Sequence, residues 1–175
     1  DFQMVESADL KESARLIQEL YLQEVAKNGV DHVALLSPYR QKTETGVNAL
    51  NEQIQEAVNP DREAVTEAVS GKRKFRRGDK VMQVKNRDDV SNGDIGYIRR
   101  ITKQGSDTEI QIDFGEGRLK DFDAGELELL DLGYATTIHK SQGSEYQTVI
   151  INIQKAHYIM LNRPLIYTAI TRGKK

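Results

Sequence analysis

A short, uninterrupted apolar run constrains the fold of this chain more than any other sequence feature. Val33-Ala34-Leu35-Leu36 has the length of a strand and contains no polar position that could face water. Runs of this kind are typical of strands buried on both faces, as in parallel sheets covered by helices. Strand and helix patterns also alternate along this part of the chain, which favours the same class. We therefore expect an α/β fold with a parallel sheet that has helices on both faces.

Two helical patterns flank this run. The first helix should begin at Asp9, because its side chain can accept hydrogen bonds from free backbone amides and Glu12 follows three residues later. It should end at Asn28-Gly29, and residues 2–5 before it are expected to form a short buried strand. The second helix is predicted from apolar residues at helical spacing, Val47, Leu50, Ile54 and Val58, followed by Asn59-Pro60.

The pattern changes after about residue 70, where short alternating segments replace the helices. Asn92-Gly93 is a strong hairpin signal, since both central positions of a tight turn tolerate positive φ, and Gly115-Glu116-Gly117 marks a second turn. Short strands joined by glycine turns over ~50 residues predict a small β-barrel. Residues 127–138 are then expected to return to the main sheet. The predicted domains are a barrel of residues 70–125 inserted into a main domain of residues 1–69 and 126–175.

Charge is distributed unevenly along the chain. The net charge of −2 gives no global basic character. Residues 72–103, however, contain eleven Lys or Arg and four Asp, a local charge of +7. Such a region can form a surface that binds phosphate groups, or it can be a solvated β surface.

Composition excludes several classes of site. The chain contains no cysteine, which excludes disulfides and thiolate metal sites and is typical of a reducing compartment. No run approaches the ~18 apolar residues of a membrane span. The first residues have neither the pattern of a signal peptide nor an initiating Met. We expect a cytoplasmic chain that begins inside a longer protein, with no membrane partner and no metal site of its own.

Residues 134–151 place a polar loop between two strand-like segments. The loop reads His139-Lys140-Ser141-Gln142-Gly143 and offers imidazole, ammonium, hydroxyl and amide groups. Such donors at one edge of a sheet could bind an anionic ligand. The same residues could also form a solvated connector, because loops are usually polar.

Four segments resemble motifs of the superfamily 1 DNA helicases of the RecD type, the exodeoxyribonuclease V alpha-subunit family. They occur in the family's order and are spread over nearly the whole chain. In that family, a TxHKSQGSE run follows a strand in motif V. The matching segments are residues 35–40 with 46–51 for motif IV and the helix after it, 75–83 with 92–96 for an SH3-like insertion, 134–151 for motif V and 165–172 for motif VI.

The resemblance implies the second of two RecA-like motor domains, with the barrel of residues 70–125 as its SH3-like insertion. Helicases of this kind cleave ATP between two such domains, and the first supplies the phosphate-binding loop and the acidic metal site. This chain contains neither a GxxxxGK[ST] run nor a strand ending in an Asp-Glu pair. ATP and Mg²⁺ are therefore expected to be bound mainly by the first RecA-like domain of the same parent chain, and the isolated chain is expected to be inactive.

The resemblance also implies residues that contact the nucleotide. Arg172 stands where the family has its motif VI arginine and is expected to stabilise the transferring phosphoryl group, although it could be only a cation at a helix end. Arg40, in motif IV, is a second catalytic candidate. Gly143 would let the backbone approach a phosphate. Glu145 would accept hydrogen bonds from ribose hydroxyls, or it could be an exposed acid at a strand entry.

Single-stranded DNA is the partner that the resemblance implies for the other polar residues. Contacts to sugar and phosphate position a strand without reading its sequence. A lone histidine such as His139 can also be a satisfied structural residue. The predicted DNA-binding residues are Ser37, Thr137, His139, Lys140, Ser141 and Gln142 in the main domain, with Arg76 and Arg77 in the insertion.

Other functions fit parts of the same pattern. The chain could belong to a conjugative relaxase or to an RNA-directed superfamily 1 helicase, because these share the patterns of motifs V and VI. It could also be a nucleic-acid-binding module without motor action. Subunits of a nuclease–helicase complex are further possible partners.

Overall fold

The computed structural model describes residues 2–41, 44–60, 67–155, 159 and 161–174. The chain divides into two compact units. The main unit comprises Asp1–Ile54 and Tyr134–Lys175, and the smaller unit comprises Gln55–Gly133.

The main unit is built on a parallel sheet of three strands. Its strands are β1 (Val33–Ser37), β9 (Ala135–Thr137) and β10 (Thr148–Ile151), in the order β10-β1-β9. All five residues of β1 are buried, as the apolar run predicted. Register is defined at both edges of the sheet, since Val33 pairs with Thr148 and Ser37 pairs with Thr137.

Helices cover both faces of this sheet. Helix α3 (Arg163–Ile170) packs Leu165 and Ala169 against Ala34 and Leu36. Helix α1 (Leu10–Asn28) contacts β1 and β10 but contributes no residue to the apolar cluster that these residues form with Ile138. Because side chains alternate along a strand, α1 covers the face opposite to α3. The predicted α/β class with helices on both faces is confirmed.

The helix boundaries follow the predicted capping chemistry. The Asp9 carboxylate accepts from Glu12 N at 2.8 Å, Glu12 Oε2 accepts from Ala8 N at 2.6 Å, and Gly29 ends α1 with a φ of 84°. Helix α2 is Val47–Val58, and Leu50 and Ile54 are completely buried. The predicted strand at residues 2–5 is wrong. Those residues form no strand and are exposed, because no described segment pairs with their backbone groups.

The smaller unit contains antiparallel strands only. A two-stranded pair joins β2 (Ala68–Ser70) to β3 (Arg73–Phe75). A five-stranded sheet has the order β7-β6-β5-β4-β8. Its strands are β4 (Lys80–Gln83), β5 (Ile95–Gln104), β6 (Asp107–Asp113), β7 (Leu119–Asp123) and β8 (Leu130–Leu132).

The two predicted turns have different outcomes. Gly115-Glu116-Gly117 joins β6 to β7 with positive φ at all three residues, as predicted. Asn92-Gly93 does not form a two-residue hairpin, because the connection from β4 to β5 is longer and contains a separate bridge between Arg87 and Val90. Of Asn92 and Gly93, Gly93 alone has a positive φ, at 101°, and the turn is closed by Asp94 N donating to Ser91 O at 3.0 Å.

Residues 127–138 do not all return to the main sheet. Strand β8 pairs with β4 in the five-stranded sheet, and only β9 joins the parallel sheet. Gly133 separates the two strands, and a Cβ there would lie 3.0 Å from the carbonyl carbon of Val81. The smaller unit therefore extends on both sides of the predicted 70–125 limits.

Candidate functional site

The segment between β9 and β10, residues 138–147, crosses the parallel sheet from one edge to the other. It starts at the carboxyl end of β9 and finishes at the amino end of β10, and both strands run parallel to β1 between them. Ile138 anchors the segment in the apolar cluster that contains Ala34, Leu36 and α3. We call this segment the crossover. Its first and second halves present polar groups at opposite edges of one sheet.

Hydrogen bonds within the crossover define its shape. A 3-10 helix at His139–Ser141 is closed by the Ser141 hydroxyl, which donates to Ile138 O at 2.7 Å. Ser144 N then donates to Ser141 O at 3.2 Å. Gly143 between them has a φ of 87°, a conformation that L side chains rarely adopt, although no atom would obstruct a Cβ there. Glycine is therefore needed here for its backbone conformation.

The first half of the crossover exposes several of the predicted DNA-binding groups. His139 and Gln142 are exposed, and Thr137 and Lys140 are half-buried. Thr137 Oγ1 accepts from Lys140 N at 3.4 Å, which holds the start of the segment against the end of β9. Arg40 is also exposed and follows the carboxyl end of the neighbouring strand β1.

The second half of the crossover lies beside Arg172. Tyr146 N donates to Arg172 O at 2.8 Å, and Lys174 N donates to Tyr146 O at 2.7 Å, so the chain after α3 pairs in parallel with the residues before β10. Glu145 is exposed in the same half. The structure therefore brings Arg172, Gly143 and Glu145 into one neighbourhood, whereas Arg40 follows the carboxyl end of the central strand β1.

The Arg172 guanidinium is held by neutral acceptors. Its Nε donates to Thr168 O at 3.2 Å, Nη1 donates to Ser144 O at 3.3 Å and Nη2 donates to Thr171 Oγ1 at 3.2 Å. A guanidinium has five N–H bonds, so within the described part of the chain two remain uncommitted, one on each terminal nitrogen. No carboxylate among the described residues forms an ion pair with Arg172. The side chain is half-buried.

Ser37 and Ser141, two of the predicted DNA-binding residues, are buried and hydrogen-bonded within the chain. Ser37 is completely buried, donates to Thr45 O at 3.0 Å and accepts from Asn152 Nδ2 at 3.3 Å. Ser141 is 1% exposed, and its hydroxyl is committed to Ile138 O. Both hydroxyls fix loop backbone from the inside, so they are not available to a ligand.

Arg76, another predicted DNA-binding residue, is buried and ion-paired in the smaller unit. Its side chain is 4% exposed and forms ion pairs with Glu56 at 2.5 Å and with Glu67 at 2.8 Å. It also donates to Asn59 O at 3.0 Å. The hydrogen bond to Glu56 raises the pKa of the Arg76 guanidinium despite its burial. Burial acts to raise the pKa of Glu67, but the hydrogen bonds from Arg76 and Lys74 outweigh it and leave that pKa below its ordinary value.

Much of the predicted basic surface is neutralised in the same way. Arg73 pairs with Asp131 at 2.7 Å, and Arg99 pairs with Asp113 at 2.7 Å. The local excess of positive charge in the sequence therefore meets acids from other strands of the smaller unit. Arg77 differs, because it is exposed and makes no ion pair with any described residue. It stays a candidate for phosphate contact.

Two asparagines that the sequence analysis did not single out support the site. The Asn51 side chain accepts from Ala135 N at 2.7 Å and donates to Ala135 O at 3.0 Å, which satisfies both backbone groups of the first residue of β9. Asn152 donates to Thr45 O at 2.9 Å and so holds the loop after β1. A signal was present for Asn51, since it lies next to Leu50 and three residues before Ile54, on the buried side of a predicted helix.

Two other classes of feature are absent from the described residues. None of the described helices has both the length and the apolar character needed to cross a lipid bilayer. No cluster of His, Cys, Asp or Glu within the same residues is arranged to hold a metal ion.

Family models match most of the chain in two parts. Residues 50–114 match the ATP-dependent RecD-like DNA helicase SH3 domain, and residues 132–175 match the UvrD-like helicase C-terminal domain. The first match falls mainly on the antiparallel unit. The second contains β9, the crossover, β10 and α3.

Known proteins are similar to the same regions. The ATP-dependent RecD2 DNA helicase of Deinococcus radiodurans is 36% identical over 148 residues, which are 83% of this chain and 19% of that protein. The RecBCD enzyme subunit RecD of Buchnera aphidicola is 29% identical over 134 residues, 74% of this chain and 21% of that protein. The chain thus spans about one fifth of the length of these curated relatives.

A solved structure shows the same fold at lower sequence identity. The crystal structure of Bacteroides Pif1 bound to single-stranded DNA has a TM-score of 0.52 and 14% identity, over 94% of this chain and 47% of the Pif1 chain. The parallel sheet and the antiparallel unit of the structure are consistent with the two family matches. This chain belongs to the RecD-like superfamily 1 helicases and carries the C-terminal region of that family with its SH3 domain.

Proposed function

We propose that this chain is the second RecA-like motor domain of an ATP-dependent DNA helicase. In this role Arg172 stabilises the phosphoryl group of an ATP held by the first motor domain, and the crossover binds single-stranded DNA. The observation that supports the role of Arg172 is its guanidinium, which is charged, half-buried and held by neutral acceptors beside the exposed second half of the crossover.

The chemistry of phosphoryl transfer requires such a group. Negative charge spreads over the oxygens of the transferring phosphoryl group, and a correctly placed arginine increases the rate by ~10³–10⁵. An arginine is always charged, and its planar fork matches two phosphate oxygens. Because Arg172 is already ordered by Thr168, Thr171 and Ser144, less freedom is lost when the nucleotide arrives.

The remaining nucleotide contacts are divided between two domains. Glu145 is exposed near Arg172, where its carboxylate can accept hydrogen bonds from ribose hydroxyls. A Cβ on Gly143 would meet no atom within 4 Å, so a phosphate can approach the backbone there closely. The phosphate-binding loop and the acidic residues that hold Mg²⁺ belong to the first motor domain, so the isolated chain does not hydrolyse ATP. Arg40 stays a second catalytic candidate, based on the resemblance to motif IV.

The first half of the crossover forms the proposed DNA contact. His139 and Gln142 are exposed there, with Thr137 and Lys140 partly accessible behind them. Imidazole, amide, hydroxyl and ammonium groups can all donate to phosphate or sugar oxygens. Contacts of this kind bind a single strand without reading its sequence, which suits a motor that moves along DNA.

A short series of hydrogen bonds connects the two halves. Ile138 O accepts from Ser141, Ser141 O accepts from Ser144 N and Ser144 O accepts from Arg172 Nη1. A shift of Arg172 toward ATP changes the last bond in this series, and therefore acts on the backbone that carries the DNA-binding groups. This is the proposed connection between ATP cleavage and movement on DNA.

The test uses a full-length helicase that contains this chain and its first motor domain. We expect Arg172→Ala to lower DNA-stimulated ATP turnover by about 10³-fold, with little change in single-stranded DNA affinity. Arg163→Ala is the matched control, since Arg163 is an exposed arginine at the other end of α3. Equal turnover in both variants would remove the proposed role of Arg172.

The rival functions predict different results. A nucleic-acid-binding module without motor action would bind DNA and show no ATP turnover in the full-length protein. An RNA-directed helicase would be stimulated more by RNA than by DNA. Membership of a nuclease–helicase complex stays a prediction, which the RecBCD subunit among the relatives supports. A cytoplasmic location, predicted from composition, also stays a prediction.

A further inference from the structure

We propose that Thr171 is a positioning residue for Arg172, because its hydroxyl fixes the orientation of the guanidinium that acts on ATP. The inference rests on the proposed function of Arg172. It is carried by three hydrogen bonds among Thr168, Thr171 and Arg172 at the end of α3.

The direction of the Thr171 hydroxyl is fixed by a backbone carbonyl. Its Oγ1 donates to Thr168 O at 3.0 Å. A hydroxyl has one proton and two acceptor lone pairs, so the bond to Thr168 leaves only lone pairs for any other neighbour. Arg172 Nη2 donates to this same oxygen at 3.2 Å. Thr171 is therefore an oriented acceptor for one terminal nitrogen of Arg172.

A second acceptor sets the plane of the guanidinium. Thr168 O accepts from Arg172 Nε at 3.2 Å as well as from the Thr171 hydroxyl. Two acceptors that are themselves joined by a hydrogen bond thus hold Nε and Nη2. A planar group held at two of its nitrogens cannot rotate about its long axis without losing both bonds.

The backbone of Thr171 is equally well fixed. It ends α3 with φ −72° and ψ −2°, and its N–H donates to Tyr167 O at 3.0 Å. The next residue, Arg172, accepts from Tyr146 N at 2.8 Å. The hydroxyl therefore projects from a defined position, and removal of the hydroxyl leaves these backbone bonds in place.

Positioning of this kind affects the chemical step more than ATP binding. The orientation of Arg172 matters most when charge develops on the phosphoryl group, so its loss lowers kcat rather than raising KM. Thr171→Val has nearly the shape of threonine but no lone pairs. We expect it to lower kcat about tenfold, the size expected for one hydrogen bond to a charged group, and to change KM for ATP less than twofold.

The decisive experiment is a double-mutant cycle in the full-length helicase, with kcat and KM measured for Thr171→Val, Arg172→Ala and the combination. If Thr171 acts through Arg172, Thr171→Val lowers kcat in the natural protein and has no further effect in the Arg172→Ala background. An equal tenfold loss in both backgrounds would overturn the proposal, because Thr171 would then have only a structural role.

Conservative variants complete the test. Thr171→Ser keeps the donor and the lone pairs and should restore kcat to within about threefold of the natural protein, whereas Thr171→Ala should behave like Thr171→Val. Thermal unfolding midpoints identify the temperature at which all variants are folded for the assay. Failure of Thr171→Ser to restore kcat contradicts the proposal.

The two proposals can fail separately. If Arg172→Ala leaves ATP turnover unchanged, the proposed function fails. If Arg172→Ala lowers turnover but Thr171→Val leaves kcat unchanged, only the positioning role fails.

Discussion

Two arginines in two regions of the molecule differ in the acceptors that hold them. Arg76, in the smaller unit, is buried between the carboxylates of Glu56 and Glu67. Arg172, in the main unit, is held by two carbonyl oxygens and one hydroxyl. Carboxylates neutralise a guanidinium, whereas neutral acceptors orient it and leave its charge available to a ligand. The comparison therefore indicates a role in stability for the first arginine and is consistent with the proposed chemical role of the second.

The largest expected effect on stability comes from Arg76→Met. The substitution leaves Glu67, which is mostly buried, without its main partner, and breaking a buried ion pair in this way costs about 3 kcal/mol of the free energy of unfolding. Denaturant unfolding of the chain measures the change. Arg172→Met should change the same free energy by less than about 0.5 kcal/mol. Similar losses in both variants would contradict the distinction between the two arginines.

Asp79→Asn should have the next largest effect. Asp79 is completely buried, and its carboxylate accepts from Arg76 N at 2.7 Å, Gln55 Nε2 at 2.6 Å and Asn59 Nδ2 at 2.8 Å. An amide has one acceptor oxygen fewer and brings a donor toward these donors, which we expect to cost about 2 kcal/mol of unfolding free energy. Denaturant unfolding that shows no loss would mean that the carboxylate does not organise this part of the smaller unit.

Arg77→Ala tests whether the exposed Arg77 differs in role from the buried Arg76 next to it. Arg77 is exposed beside the buried Arg76, so its removal should leave the unfolding free energy within about 0.5 kcal/mol. If it contacts phosphate, the dependence of single-stranded DNA affinity on salt concentration should weaken by about one counterion. Fluorescence anisotropy at several salt concentrations measures this. An unchanged slope removes Arg77 from the DNA contact.

The smallest expected effect is on the pH dependence of stability. Because the folded chain lowers the pKa of Glu67 below the ordinary value for a glutamate, this group stabilises the fold above its unfolded pKa and loses its contribution as the pH falls through the folded pKa. Glu67→Gln should therefore flatten the loss of unfolding free energy between roughly pH 5 and pH 3. A profile as steep as that of the natural chain would show that Glu67 is not the group responsible.

Local chemistry made several elements predictable from the sequence. The capping residues Asp9 and Glu12 and the buried run of β1 each depend on residues close together in the chain. The crossover was also predictable as a loop between two strands, because its apolar flanks and polar centre are contiguous. Its exposed residues His139 and Gln142 were identified for the same reason.

The burial of Ser37 and Arg76 and the pairing of β8 depend on contacts between distant residues. Ser37 is buried because Asn152, 115 positions later, donates to its hydroxyl, and no local pattern indicates that contact. Arg76 is buried because Glu56 folds back onto it from 20 positions earlier. The sequence of β8 does not indicate which of the two sheets the strand joins. Its pairing with β4 is therefore seen only in the structure.

ATP turnover in the full-length helicase tests the central claim most directly, with Arg172→Ala and Arg76→Met compared at a temperature where both variants are folded. The account predicts a loss of about 10³-fold for Arg172→Ala and less than about threefold for Arg76→Met. Equal turnover in the two variants, or a larger loss in Arg76→Met, would contradict it.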